Sequence, residues 1–419
     1  TEIESTKEGK KIETVFKETP IMSTYLLAFV SGDIASKETK TKDGILVRTF
    51  ATPDKVDGLE FSLDIAKKSL EYFQEFFGVK YPLSKCDNVA IPDFSAGAME
   101  NWGLITYRES SMLVDEHTPL AMKKGVALTV AHEIAHQWFG NLVTMRWWTD
   151  LWLNEGFASW VEYLALDHIF PEWKVWEDFV IQDYSSALGL DSLKNSHPVE
   201  VDINDPDEIR SIFDAISYSK GASVIRMLFN YIGEKDFRKG LQHYLKTHAY
   251  SNASTEDLWT SLDKVSQKPV REFMGVWTKQ TGFPLLTVEK NKVSQSRFLL
   301  NPSRTRDLWP IPLEGKTFSE AKAHIEIRDY PNPGHNGFFV SKISEDVIGD
   351  MDIQKLGPIE QAGLIQDTWM NAKADSSCEY ALDMQMKLKN TDSYIVWQNI
   401  LGNTSELLYL LGEDSTKKA

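Results

Sequence analysis

One stretch of fourteen residues constrains this chain more than any other: Val126 to Phe139 contains neither Gly nor Pro and carries His132-Glu133-Ile134-Ala135-His136. Such a segment reads as helix, and residues four apart on a helix share a face, so both imidazoles face one point. Two neutral imidazoles and a carboxylate suit Zn2+. Three protein ligands leave its fourth position open, which implies catalysis rather than a structural site. Taken singly, either histidine reads equally well as a core residue.

The carboxylate has to come from another element. Asn154-Glu155-Gly156-Phe157-Ala158 offers Glu155 on a second helical run, with 18 residues between His136 and Glu155, enough for a loop and a returning helix. Glu133 lies about 100° round the helix from His132, so it reaches a water on the metal without ligating the metal and reads as the general base. Zinc brings the pKa of such a water to about 7, and Glu133 takes its proton as hydroxide attacks a carbonyl. The resulting oxyanion needs a donor. Tyr218, in Ile216-Ser217-Tyr218-Ser219-Lys220-Gly221, stands where a loop feeds a helix, but it is one of 14 tyrosines and chemistry alone does not single it out.

Size and charge narrow the class further. A chain of 419 residues has room for two to four domains. A net charge of −16 argues against a nucleic-acid partner and suits a cationic ligand such as a peptide's protonated N-terminus, although solubility explains it as well. Cys86 and Cys378, the only cysteines, form no CxxC pair. That argues against a disulfide framework or thiolate zinc site and for a reducing, cytoplasmic location. The longest apolar stretch, around Tyr25 to Val30, falls far short of the roughly 20 residues of a membrane helix, so a soluble chain with no membrane partner is expected. Beginning at Thr1 with no secretory signal, the sequence reads as processed or trimmed.

Along the chain, residues 1 to about 50 read as β: the apolar run at Tyr25 to Val30 ends at Ser31-Gly32-Asp33, a charged linker follows, and Gly44 to Phe50 resumes a strand pattern. Leu59 to Phe77 has helical spacing and stops at Gly78, and strand-like material follows at Asn88 to Pro92. From about Leu120 to Val288 helix signals dominate, with a capping pattern at Ser254-x-x-Asp257 and a break at Gly282-Phe-Pro284. Thr287 to Leu300 and Ala323 to Ser341 read as strands, and helix periodicity returns from Gly357 to Leu411.

Gly97-Ala98-Met99-Glu100-Asn101, His132-Glu-Ile-Ala-His136 with Glu155, and Tyr218 occur in the order and spacing of a known family. The chain resembles the gluzincin zinc aminopeptidases, especially the puromycin-sensitive type. The likeness extends to Trp147 through Ser159, Ile212 through Ser223 and Trp277 to Pro284, and is weakest from about Arg304 to Asp350. It implies an α+β fold: a remnant of an N-terminal β domain and linker over 1–42, a thermolysin-like catalytic domain with a small mixed sheet and helical lobe over 43–288, a small β-sandwich over 289–342, and the start of a C-terminal helical domain over 343–419. It also implies one Zn2+ per chain and peptide substrates with a free N-terminus.

By the same resemblance, Glu100 binds the substrate's α-ammonium while backbone at Gly97 and Ala98 pairs with the peptide, which makes the enzyme an exopeptidase. Tyr218 is the oxyanion donor, worth about 10² to 10³ in rate. Met99 and Phe213 are candidate walls of the side-chain pocket, and both read equally well as core. The family's second acidic anchor, from the N-terminal β domain, has no counterpart in residues 1 to 40. Three competing readings remain: a zinc- and peptide-binding fragment with little turnover, a zinc endopeptidase, and an epoxide hydrolase. The last is disfavoured because Gly97-Ala98 stands where Gly-Gly is expected.

Overall fold

A computed structural model describes residues 2–412 apart from 10, 291, 304, 314–315 and 325–336. The chain is mixed α/β and divides into two compact units, one formed by 1–173 with 235–267 and the other by 174–234 with 268–419.

The first unit opens with an antiparallel hairpin of β1 (Glu2–Glu8) and β2 (Lys11–Phe16). A five-stranded mixed sheet follows, built from β3 (Ala35–Lys40), β4 (Leu46–Ala51), β5 (Lys85–Ile91), β6 (Ala98–Met99) and β7 (Leu104–Arg108) in the order β3-β4-β5-β7-β6. In β4 every second residue is buried, as a half-covered strand requires. In the central β5 five consecutive residues are buried, as befits a strand covered on both faces. The β4 and β5 strands run parallel, and the crossover between them contains helix α1 (Glu60–Phe77). Leu63, Ala66, Leu70, Phe73 and Phe77 form its buried stripe at three- and four-residue spacing, and Gly78 ends it in the left-handed conformation at φ 59°.

Two further helices complete the frame, α2 (Leu120–Ala135) and α3 (Trp152–Ile169). The latter is buried on almost every side from Trp152 to Leu166, including its polar Asn154, Glu155, Ser159 and Glu162. An aromatic chain ties the three helices together. Phe77 of α1 lies 5.3 Å from Phe139 just beyond α2, and Phe139 stacks on Phe157 of α3 at 4.6 Å with the ring planes nearly parallel.

The apolar run expected as strand at Tyr25 to Val30 is instead a single 3-10 turn, Thr24–Leu26, followed by irregular chain in which Leu27 and Phe29 are exposed. The helix expected through Phe139 stops at Ala135. Beyond it, Asn141, Leu142 and Val143 donate to the carbonyls five residues back, at His136, Gln137 and Trp138, so the backbone leaves the helix through wide turns.

The second unit contains a four-stranded sheet in the order Lys322–His324, Lys292–Arg297, Pro284–Glu289, Val340–Ile343, and a hairpin of Ile311–Leu313 and Lys316–Phe318. Part of the strand expected over Ala323 to Ser341 lies outside the described residues. Among the unit's helices are Ser185–Asp191, Gly221–Ile232, Val270–Lys279, Pro358–Asp375 and Tyr394–Leu411. Among the described residues no helix is long and apolar enough to cross a membrane.

Candidate metal centre

His132 sits in the last turn of α2, His136 caps it, and Glu155 lies in the first turn of α3. The placement suits both charges, since the negative end of α2 points toward a cation and the positive end of α3 favours a carboxylate. The start of α3 is fixed by Asp150, whose Oδ1 accepts from the Thr255 amide at 3.0 Å and hydroxyl at 2.7 Å.

The three side chains converge. Nε2 of His132 and Nε2 of His136 are 3.0 Å apart, and Oε2 of Glu155 lies 3.4 Å and 3.3 Å from them. Ligand bonds of about 2.0–2.1 Å at the tetrahedral angle separate donor atoms by about 3.3 Å, so this triangle is the size of one face of a tetrahedral zinc site.

Hydrogen bonding on the far side of each ring sharpens the point. Nδ1 of His136 lies 2.9 Å from the Phe139 carbonyl, which can only accept, so Nδ1 carries hydrogen. Nδ1 of His132 lies 2.8 Å from Oε2 of Glu162 and donates to that carboxylate. A neutral ring with hydrogen on Nδ1 presents a bare lone pair at Nε2. With both rings neutral, two lone pairs and a carboxylate oxygen face one another, an arrangement relieved by a bound cation or, without one, by a proton on the ring. The donor set therefore fits a divalent metal of the zinc type.

The same demand for positive charge shows in the ionisation of the ligands. Burial works against charge on His136, but Glu100 and Glu155 outweigh it and bring the ring up to about 9. Burial alone would raise the Glu155 carboxyl, yet the neighbouring imidazoles hold it well below the usual carboxylate range. For Glu133 burial dominates and pushes the carboxyl up to about 8. Its Oε2 is buried without a hydrogen-bond partner among the described residues, as a group kept for a water or substrate would be.

Glu100 lies immediately after β6, the terminal strand of the sheet, and is 7% exposed. Glu100, Glu133 and His136 each bring one ligand atom within 4.8 Å of the others. The backbone at Glu100 is fastened to the turn beyond α2, because its carbonyl accepts from Asn141 Nδ2 at 2.8 Å and Gln137 Nε2 at 3.4 Å. Gly140 permits this turn: its φ is 125°, and a Cβ there would stand 3.3 Å from Asn154 Nδ2 and 3.5 Å from His136 Nδ1. Met99 is half-buried on β6, while Gly97 just before the strand is exposed and Ala98 half-buried.

The structure thus gathers Glu100, His132, Glu133, His136 and Glu155 in the first unit. Tyr218 and Phe213 belong to the second unit, where their rings lie 6.5 Å apart. Two residues were missed in the sequence. Glu162 follows Glu155 by two helical turns on the same face of α3, a spacing that could have revealed it. Tyr25 lies tilted against Trp148 with ring centroids 6.3 Å apart, its hydroxyl buried and its ionisation pushed far up, first by burial and then by Glu100 and Glu155.

Residues 61–277 match the model of the peptidase family M1 domain. The chain is 54% identical over 303 aligned residues to aminopeptidase M1 of Arabidopsis thaliana, covering 71% of this chain and 34% of that protein. It is 40% identical over 453 aligned residues to a puromycin-sensitive aminopeptidase of Caenorhabditis elegans, covering 99% and 48%. With the alanine/arginine aminopeptidase of Saccharomyces cerevisiae it shares 41% identity over 429 aligned residues, covering 96% and 50%. The chain spans about a third to a half of the length of these relatives. With a His132, His136 and Glu155 cluster that could hold a metal ion and this match over more than half its length, the chain belongs to peptidase family M1, a family of metallopeptidases.

Proposed function

We propose that the chain is a zinc aminopeptidase that hydrolyses the first peptide bond of peptides with a free N-terminus. The observation that carries this reading is the buried carboxylate of Glu100, grouped with Glu133 and His136 beside the ligand triangle. An α-ammonium paired with Glu100 sets the first peptide bond, and no later one, beside the metal. The relatives' names, all aminopeptidases, support the same activity.

Zinc held by His132, His136 and Glu155 would polarise the scissile carbonyl and acidify a water. Glu133 takes the proton from the attacking water, and its raised proton affinity suits it to pass that proton to the leaving amine. Backbone groups at Gly97 and Ala98 extend the sheet to the substrate as an added strand. Tyr218 serves as oxyanion donor, with Met99 and Phe213 as pocket walls, on the strength of the motif resemblance. The layout proposed is the thermolysin-like domain over 43–288, flanked by the β remnant over 1–42, the β-sandwich over 289–342 and the helical segment from 343. Both cysteines are free thiols, which supports a cytoplasmic, reducing location.

The test uses the zinc-loaded chain with fluorogenic amino-acid amides and with N-acetylated peptides. Cleavage of free-amino substrates alone, abolished by chelation and restored by zinc, is expected. Glu133→Gln should keep the metal and lose hydrolysis, and Glu100→Ala should lose the preference for free N-termini. Cleavage of blocked substrates alone would establish an endopeptidase instead. Since the chain spans a third to a half of its relatives, a second reading is a zinc- and peptide-binding piece with little turnover, which predicts binding of a peptide analogue without hydrolysis.

A further inference from the structure

The turn that carries Tyr218 is held at both ends by acid-base pairs, all within the second unit. It runs Ile216–Lys220 as a wide turn in which Tyr218 N–H donates to the Asp214 carbonyl at 3.1 Å and Lys220 N–H to the Ala215 carbonyl at 2.8 Å. At its far end the Lys220 ammonium is wholly buried and bonds Oδ2 of the equally buried Asp191 at 2.7 Å and the Gly282 carbonyl at 3.0 Å. At its near end Asp214 caps the turn, its Oδ1 accepting from Ile216 N–H at 2.8 Å and Ser217 N–H at 3.3 Å. The other oxygen, Oδ2, faces Nε2 of His197 at 2.9 Å, and solvent reaches both side chains.

His197 is caught between two acceptors, because its Nδ1 lies 2.7 Å from the Pro198 carbonyl. Neither acceptor can supply a proton. A neutral imidazole has a single N–H and would turn a bare lone pair on one of these oxygens, whereas the imidazolium satisfies both. The adjacent Ser196 hydroxyl donates to Asp191 Oδ1 at 2.9 Å, so the segment 196–198 touches both anchors of the turn.

We propose that His197 is a positioning residue for Tyr218, holding in its charged form, through Asp214, the wide turn on which that tyrosine is carried. Its catalytic meaning rests on Tyr218 being the oxyanion donor; its mechanical meaning does not. The charged groups that bear on His197 are Asp214 in contact and Asp191 farther off, the latter already paired with Lys220. Burial opposes charge on the ring, but the bonds to Asp214 and the Pro198 carbonyl, with the charges of Asp214 and Asp191, together outweigh it and raise the proton affinity of His197 above the ordinary value. Asp214 shows the converse: burial would raise it, and His197 brings it below the usual range. Because the histidine value is raised, the clamp is complete at lower pH and is lost as pH rises through the His197 transition.

Imidazole NMR of the chain should place the His197 midpoint above that of an ordinary histidine, and Asp214→Asn should bring it back. Amide exchange at Ile216 and Ser217 should quicken about tenfold in His197→Ala, the factor for losing one hydrogen bond to a charged group, while the helix Gly221–Ile232 keeps its protection. Wild type should show the same quickening above the His197 midpoint. His197→Gln, whose amide still donates to Asp214, should retain protection at all pH values. With amino-acid amides, His197→Ala should lower kcat about tenfold at unchanged KM and zinc content, and add nothing to Tyr218→Phe. Unaltered exchange at Ile216 and Ser217 in His197→Ala overturns the proposal. If Tyr218→Phe retains full kcat, the oxyanion assignment falls while the exchange result still decides the positioning role.

Discussion

The carboxylate behind His132 offers a direct measure of how the metal centre is tuned. Glu162 Oε2 accepts from His132 Nδ1 at 2.8 Å, and the two side chains are only 11% and 13% exposed, so little water is available to replace the bond. Glu162→Gln can keep an oxygen at that position, preserving the hydrogen on Nδ1 and the lone pair on Nε2, and removes only the charge. Glu162→Leu also removes the acceptor and leaves a buried N–H unmatched. Partners of ligating histidines affect metal affinity by about 10- to 100-fold, or about 1.4–2.7 kcal/mol. The glutamine variant should therefore lose about tenfold in zinc affinity and the leucine variant about a hundredfold. Competition for zinc against a chelator of known affinity, at fixed pH, reads both constants. Affinities within twofold of wild type for both variants would refute the tautomer argument, since the ring would then be oriented without Glu162.

Two further outcomes follow from other pairs. Because Glu100 and Glu155 bring the His136 ring up to about 9, against the pull of burial, the metal-free ring holds its proton at pH 7.5 and must give it up to bind metal. Calorimetry in buffers of different ionisation heat should show release of about one proton or more per zinc, and affinity should fall as pH falls; heats independent of buffer would contradict this. In the second unit, Lys220→Met leaves the Asp191 carboxylate buried and uncompensated and should destabilise the chain by about 3–5 kcal/mol. Adding Asp191→Asn, which removes that charge, should recover much of the loss in denaturant titrations. A double variant weaker than the sum of the singles would refute the charge explanation.

The convergence of His132, His136 and Glu155 was legible because each depends on local periodicity: two histidines four apart at the end of one helix and a glutamate opening another. What escaped reading depends on contacts distant in sequence. Nothing near Tyr25 says that its hydroxyl lies close to Glu100 and Glu155, and its apolar neighbours imitate a strand although Leu27 and Phe29 are exposed. The helix bearing the histidines was read four residues too long, since a lack of Gly and Pro cannot reveal that carbonyls 136–138 are taken by amides five residues on. Glu100 was assigned by resemblance, and the fastening of its carbonyl by Asn141, 41 residues away, is visible only in three dimensions. Of the sheet's strands, β4 and part of β5 were legible, β3 stands where a charged linker was expected, and β7 was not read. The two-residue β6 was too short to announce itself.

That brevity has a bearing on solubility. A sheet that ends in a long, flat strand exposes a row of backbone donors and acceptors on which another chain can add, and proteins commonly blunt such edges. Here the five-stranded sheet ends in Ala98 and Met99, after which the chain turns inward at the buried Glu100. An edge of two residues can seat the first residues of an extended peptide, yet it is too short to template a neighbouring copy. In the proposed reading, this edge can receive an extended peptide without the aggregation that a longer one would invite.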